Sequence, residues 1–138
     1  MRSILRLALV LSTVTLGAAA ILEAQEGLTK RDRQGPVAVT VTLTTPPAIG
    51  APIRARVVLD THSVALDDIK FEEVVLLRTP DGSDMGPTAV EQAAGGGHHR
   101  QAVLVFPAIT QPGSARVIVK NVGGVAERSF AWELAPAR

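Results

Sequence analysis

Three histidines, His62, His98 and His99, are the residues of this sequence best suited to chemistry. Imidazole keeps an uncharged nitrogen lone pair near neutral pH and is the commonest protein ligand for divalent copper and zinc. His62 stands in Asp60-Thr61-His62-Ser63, and His98-His99 follow the glycines Gly95-Gly96-Gly97. Neighbouring residues of an extended chain point to opposite sides, so only one of His98 and His99 joins His62 unless the glycines bend the backbone. Asp60, with Asp67 and Asp68 close by in sequence, supplies an oxygen ligand or holds a ring in place as its hydrogen-bond partner. The candidate metal ligands are therefore His62, His98 and His99, backed by Asp60, and the candidate ions are copper and zinc. The competing reading gives the same histidines a role in loop shape, bonded to backbone carbonyls or to the hydroxyls of Thr61 and Ser63.

Other chemistries fit less well. Cysteine is absent, which removes disulfides, c-type haem attachment, thiolate zinc sites, blue-copper ligation and lipid attachment through sulfur. Asp60, His62 and Ser63 are the residue types of a hydrolase triad, yet near-neighbours in one loop cannot easily adopt nucleophile, base and orienter geometry. The glycines at 95–97 precede neither Lys-Ser/Thr nor a helix start, so they are no phosphate cradle. No catalytic role is expected. Paired carboxylates at Asp67-Asp68 and Glu72-Glu73 read as turn caps or a solvated edge.

The elements that must position the histidines are strands. Val37, Val39, Val41 and Leu43 alternate with Ala38, Thr40, Thr42 and Thr44, which is the period of a half-buried strand. Pro46-Pro47 and Gly50 end it, and Ile53, Ala55, Val57 and Leu59 repeat the pattern. Further strands are expected over 72–78, 88–91, 101–106, 115–120 and 126–133, parted by Pro80-Asp81-Gly82, Pro107, Pro112-Gly113 and Gly123-Gly124. The only low-complexity patch is 93–97. About seven strands with such spacing predict an all-β fold, an antiparallel β-sandwich of immunoglobulin-like or cupredoxin-like kind. If every connection reverses direction, the ends of the strands at Leu59 and Gln101 meet at one end of the domain, together with the 121–124 loop. His62 and His98-His99 then share that end. Trp132 and Phe130 alternate on the last strand and are expected in the core with Phe106.

The first residues have the order of a signal peptide: Arg2 and Arg6, an apolar run over 7–22 broken only by Ser12, Thr13 and Thr15 among its polar types, and small residues at 17–20. Cleavage is expected after Ala24. A retained anchor needs roughly twenty apolar residues, more than this run offers with its three hydroxyls. The expected organisation is a signal helix over 1–24, a flexible lead over 25–36, the sandwich over 37–134 and a tail over 135–138. The product is periplasmic or secreted, and membrane-tethered only if the segment stays.

Composition narrows the partners. Of 14 basic and 13 acidic residues, export removes Arg2, Arg6 and Glu23, leaving twelve of each and no basic stripe for nucleic acid or anionic lipid. One Trp, three Phe and no Tyr leave little for stacking on bases or sugars. The motifs Leu59-Asp60-Thr61-His62-Ser63, Gly96-Gly97-His98-His99-Arg100 and Arg128-Ser129-Phe130-Ala131-Trp132, in that order, resemble those of a group of small exported bacterial β-sandwich domains. The resemblance implies an exported sandwich with histidines in matching loops. Copper-carrier sandwiches are similar in size and compartment, but this chain has no methionine-rich tract, and Met85 alone makes no cuprous thioether site. The expected function is thus an exported binding or accessory module, either a copper or zinc site or a non-catalytic domain docking on another exported or membrane protein.

Overall fold

A computed structural model describes residues 27–137; the expected signal helix lies outside them. Two antiparallel sheets account for nearly all the regular structure. The first contains β1 (Thr29–Asp32), β2 (Val37–Leu43), β3 (Ile53–Thr61), β6 (Ala89–Gly96) and β7 (His99–Phe106), in the order β1-β2-β3-β7-β6. The second contains β4 (Val75–Arg78), β5 (Asp84–Met85), β8 (Ser114–Val122) and β9 (Val125–Glu133), in the order β5-β4-β8-β9.

Alternation decides which face of each sheet is dry. Val37, Val39, Val41 and Leu43 of β2 are buried, as are Ile53, Ala55, Val57 and Leu59 of β3. They meet Val75, Leu77, Val117, Val119, Phe130 and Trp132 of the second sheet in one apolar core. Each fully buried Val or Leu contributes about 1.5–3 kcal/mol relative to exposure, so the aliphatic core carries the fold despite its few rings. Phe106, Phe130 and Trp132 lie in that core, as expected.

Two further apolar residues are buried on the outer faces. Val103 has the parity of an outward residue on β7, and the Arg54–Glu91 ion pair spans that strand from β3 to β6. Ile118 of β8 lies likewise between Arg78 of β4 and Glu127 of β9, whose side chains meet at 2.7 Å. The long side chains cover aliphatic surface with their stems while their charged ends pair in water.

The structure corrects several expectations. Residues 29–32 of the expected flexible lead form the edge strand β1, paired with residues 39–42 of β2. The stretch 72–78 is not one strand: Phe71–Val74 makes a helical turn, α1, that buries Phe71, and β4 starts only at Val75. The low-complexity patch 93–97 lies largely in β6, an edge strand whose register shifts between Glu91 and Ala94, with Gln92 at φ 50°. Among the described residues, nine short strands thus replace about seven. The tail is tied at its first residue, since Ala135 exchanges backbone hydrogen bonds with Pro47 and Ile49, both 2.9 Å.

Candidate functional site

β3 and β7 are neighbours, and their register places Asp60 opposite His99. His99 is therefore the first residue of a strand, where the sequence placed it in a loop. His98 occupies the two-residue turn Gly97-His98 that joins Gly96 to its partner His99. Gly97, at φ 62°, supplies the left-handed conformation such a turn needs. His62 follows the end of β3. All three histidines are exposed and lie at one end of the domain, as the strand-reversal argument required.

Backbone hydrogen bonds lace the two histidine segments together. Thr61 N–H donates to the His98 carbonyl at 3.0 Å and Leu66 N–H to the Gly97 carbonyl at 2.9 Å. Gly97 N–H donates in turn to Asp67 Oδ1 at 2.9 Å. Arg100 completes the clamp by donating to the carbonyls of Leu66 and Asp67, each at 3.1 Å, and to that of Ile69. Its guanidinium also stacks 5.3 Å from the Phe71 ring centroid, which explains why the helical turn at 71–74 packs here.

His99 Nδ1 lies 2.5 Å from Asp60 Oδ1. A carboxylate oxygen accepts, so Nδ1 is the donor of this pair. That is the arrangement in which a carboxylate orients a metal-binding imidazole. Asp60 holds the His99 ring by this hydrogen bond. His62 lines an open cleft of about 430 Å³ with Asp60, Thr61, Pro36, Arg31 and Arg33. Among the described residues, no group of three or more His, Asp or Glu side chains stands close enough to hold a metal ion.

Beneath this end lies a residue the sequence reading passed over. Arg128 of β9 is 1% exposed, the largest fully buried side chain among the described residues, and each of its three guanidinium nitrogens donates a hydrogen bond. It donates to the carbonyls of Gln34 at 2.6 Å, Val37 at 3.0 Å and Val122 at 3.0 Å, and to Asp32 Oδ1 at 3.2 Å. Asp32 also accepts from the backbone and side chain of Gln34, at 2.8 and 2.9 Å. The turn from β1 to β2 is therefore pinned from inside the molecule. From the side, Thr61 Oγ1 donates to the Pro36 carbonyl at 2.8 Å. The signal for Arg128 was its parity: it alternates in phase with Phe130 and Trp132, both inward.

No protein-family model, curated protein or solved structure matches the chain.

The carboxyls whose proton affinity the fold changes most lie in the second sheet. Hydrogen bonds from the Thr79 hydroxyl, then from Ser83 and Gln111, hold Asp81 well below the usual carboxylate range. Arg78 does the same for Asp84 and Glu127, and its own guanidinium is held still more firmly charged by them. These groups close a turn and roof Ile118, so their shifts follow from structure.

Proposed function

We propose that the chain is an exported β-sandwich of immunoglobulin-like or cupredoxin-like kind that serves as a non-catalytic binding module. It docks on another exported or membrane protein through the end that carries His62, His98 and His99. The observation that supports this most is the lacing of the 61–67 loop to the Gly97-His98 turn. Backbone bonds and Arg100 spend their hydrogen-bonding capacity on holding exposed side chains in one arrangement. A surface formed in advance loses little freedom on association, so such an end suits recognition.

A pull-down from membranes tests it. The wild-type protein is expected to recover a partner that His62→Ala with His98→Ala recovers poorly; recovery of nothing above background by the wild type would reject docking.

The Asp60–His99 pair favours a second reading, in which Nε2 of His99 takes a divalent copper or zinc ion with His62 or His98 as further ligand. Calorimetric titration of the wild type and of the same double variant with each metal decides it. Equal weak binding by both proteins sinks the metal.

A further inference from the structure

Among the described residues, four exposed arginines form no ion pair: Arg56 and Arg116 on the outer sheet faces, and Arg31 and Arg33, which together line the cleft beside His62. Arg54 pairs with Glu91, Arg78 with Asp84 and Glu127, Arg100 with three carbonyls, and Arg128 with Asp32 and three carbonyls. Arg31 and Arg33 are exposed and have no carboxylate partner among the described residues. The two acids nearest them are committed elsewhere. Asp32, between them in sequence, turns inward to Arg128 and to Gln34, and Asp60 on the cleft wall is bound to His99. Two guanidinium groups therefore line one open cleft without a salt bridge, with Asp60 the one carboxylate on its wall.

Their backbone is also held. Arg31 sits on β1 opposite Thr40, and Arg33 enters the turn that Arg128 pins at Gln34 and Val37. Gly35, in the same turn at φ 67°, packs so closely that an added Cβ would stand 3.0 Å from the Gly123 carbonyl oxygen. A guanidinium is planar and matches a carboxylate with two parallel hydrogen bonds, and a pair of them on a rigid turn is a receptor for paired anionic oxygens. Because the cleft is open along the surface, side chains of a passing chain reach it more readily than an enclosed small molecule fits it.

The geometry points to a docking site for an acidic segment of the partner, whose Asp or Glu carboxylates bind Arg31 and Arg33 beside His62. This inference rests on the docking reading above and adds the chemistry of what docks. The protein carries almost no net charge, so attraction is local and falls steeply with salt.

Hexaglutamate serves as the probe, titrated by calorimetry into the full chain as the expressing cell processes it, at low and at physiological salt. Arg31→Gln with Arg33→Gln is expected to weaken binding about tenfold, which is about 1.4 kcal/mol. Arg56→Gln with Arg116→Gln removes the same charge from the outer sheet faces, where both arginines are exposed, and is expected to change affinity less than about twofold. Arg31→Lys with Arg33→Lys keeps the charge without the fork and should fall between, with an unchanged melting temperature excluding loss of fold. Equal losses in the two glutamine variants would overturn the site in favour of net charge alone. Inorganic phosphate displacing the peptide at equal concentration would overturn the acidic segment in favour of a free oxyanion. A wild-type pull-down that recovers a partner equally well with Arg31→Gln and Arg33→Gln overturns this inference and leaves docking intact. A wild-type pull-down without a partner removes docking itself, whatever the peptide does.

Discussion

Arg128 and the cleft arginines stand on opposite sides of the same short turn, and they use the same functional group in opposite ways. Arg128 is buried against three carbonyls and a carboxylate shared with Gln34, so its charge is spent on holding residues 32–37. Arg31 and Arg33 are mounted on that turn and face water. The difference shows a division of labour set by burial. A desolvated guanidinium with each nitrogen hydrogen-bonded fixes a backbone, and the exposed ones keep their hydrogen bonds for another molecule. The histidine end repeats the pattern: Arg100, half-buried, clamps carbonyls from behind, and His62, His98 and His99 remain outside.

The contrast can be broken first at its buried side. Arg128→Met leaves Asp32 and three carbonyls without their donor and is expected to cost about 3–4 kcal/mol in urea unfolding. If it costs under about 1 kcal/mol, the cage is dispensable and the turn is held by other means.

Gly123→Ala attacks the same turn from the hairpin below. At φ 60°, its new Cβ would meet Val37 Cγ2 at 2.7 Å, so strain and overlap together should cost about 2 kcal/mol. Gly124→Ala makes the control, since it shares the positive φ but meets nothing within 4 Å, and should cost about half as much.

Arg100→Ala is expected to cost about 1–2 kcal/mol and to speed amide exchange at Leu66 and Gly97, with exchange in β2 unchanged. Uniform acceleration across the sheet would show that the clamp supports the whole fold.

The smallest change in stability should come from Asp60→Asn, under about 0.5 kcal/mol, because the His99 pair is exposed. Its effect belongs to recognition: partner recovery or metal uptake should fall with no shift in melting temperature.

Much of the fold was legible because aliphatic alternation is a direct signal of a half-buried strand. Both β2 and β3 were plain from Val37 and Ile53 onward, and Gly123-Gly124 marked the last hairpin. β1 was not, because Thr29, Lys30, Arg31 and Asp32 carry no apolar alternation; two of their side chains find distant partners, Asp32 in Arg128 and Lys30 in the Trp132 ring at 5.4 Å. The helical turn at 71–74 was hidden for a related reason: Phe71 is set by Arg100, a contact between distant loops. At the candidate site, chain reversal was enough to place His62 and His98-His99 at one end and to put Asp60 near a ring. Which imidazole it meets depended on the β3–β7 register, and a one-residue difference in where β7 starts separates His98 from His99. The cleft arginines were invisible because being unpaired is a property of three-dimensional neighbours.

The bulge in β6 has a consequence for the protein at high concentration. β6 is the outermost strand of its sheet, and a straight outermost strand offers its free amides and carbonyls to any other chain of the same kind. Between Glu91 and Ala94 the register slips, Gln92 takes a left-handed conformation and Gly95 follows at φ 89°, so the free edge is bent out of the line another strand would need. The irregularity that blurred this segment in the sequence is thus a guard against polymerisation, built into an edge stretch, 92–97, with no charge of its own to repel a second copy.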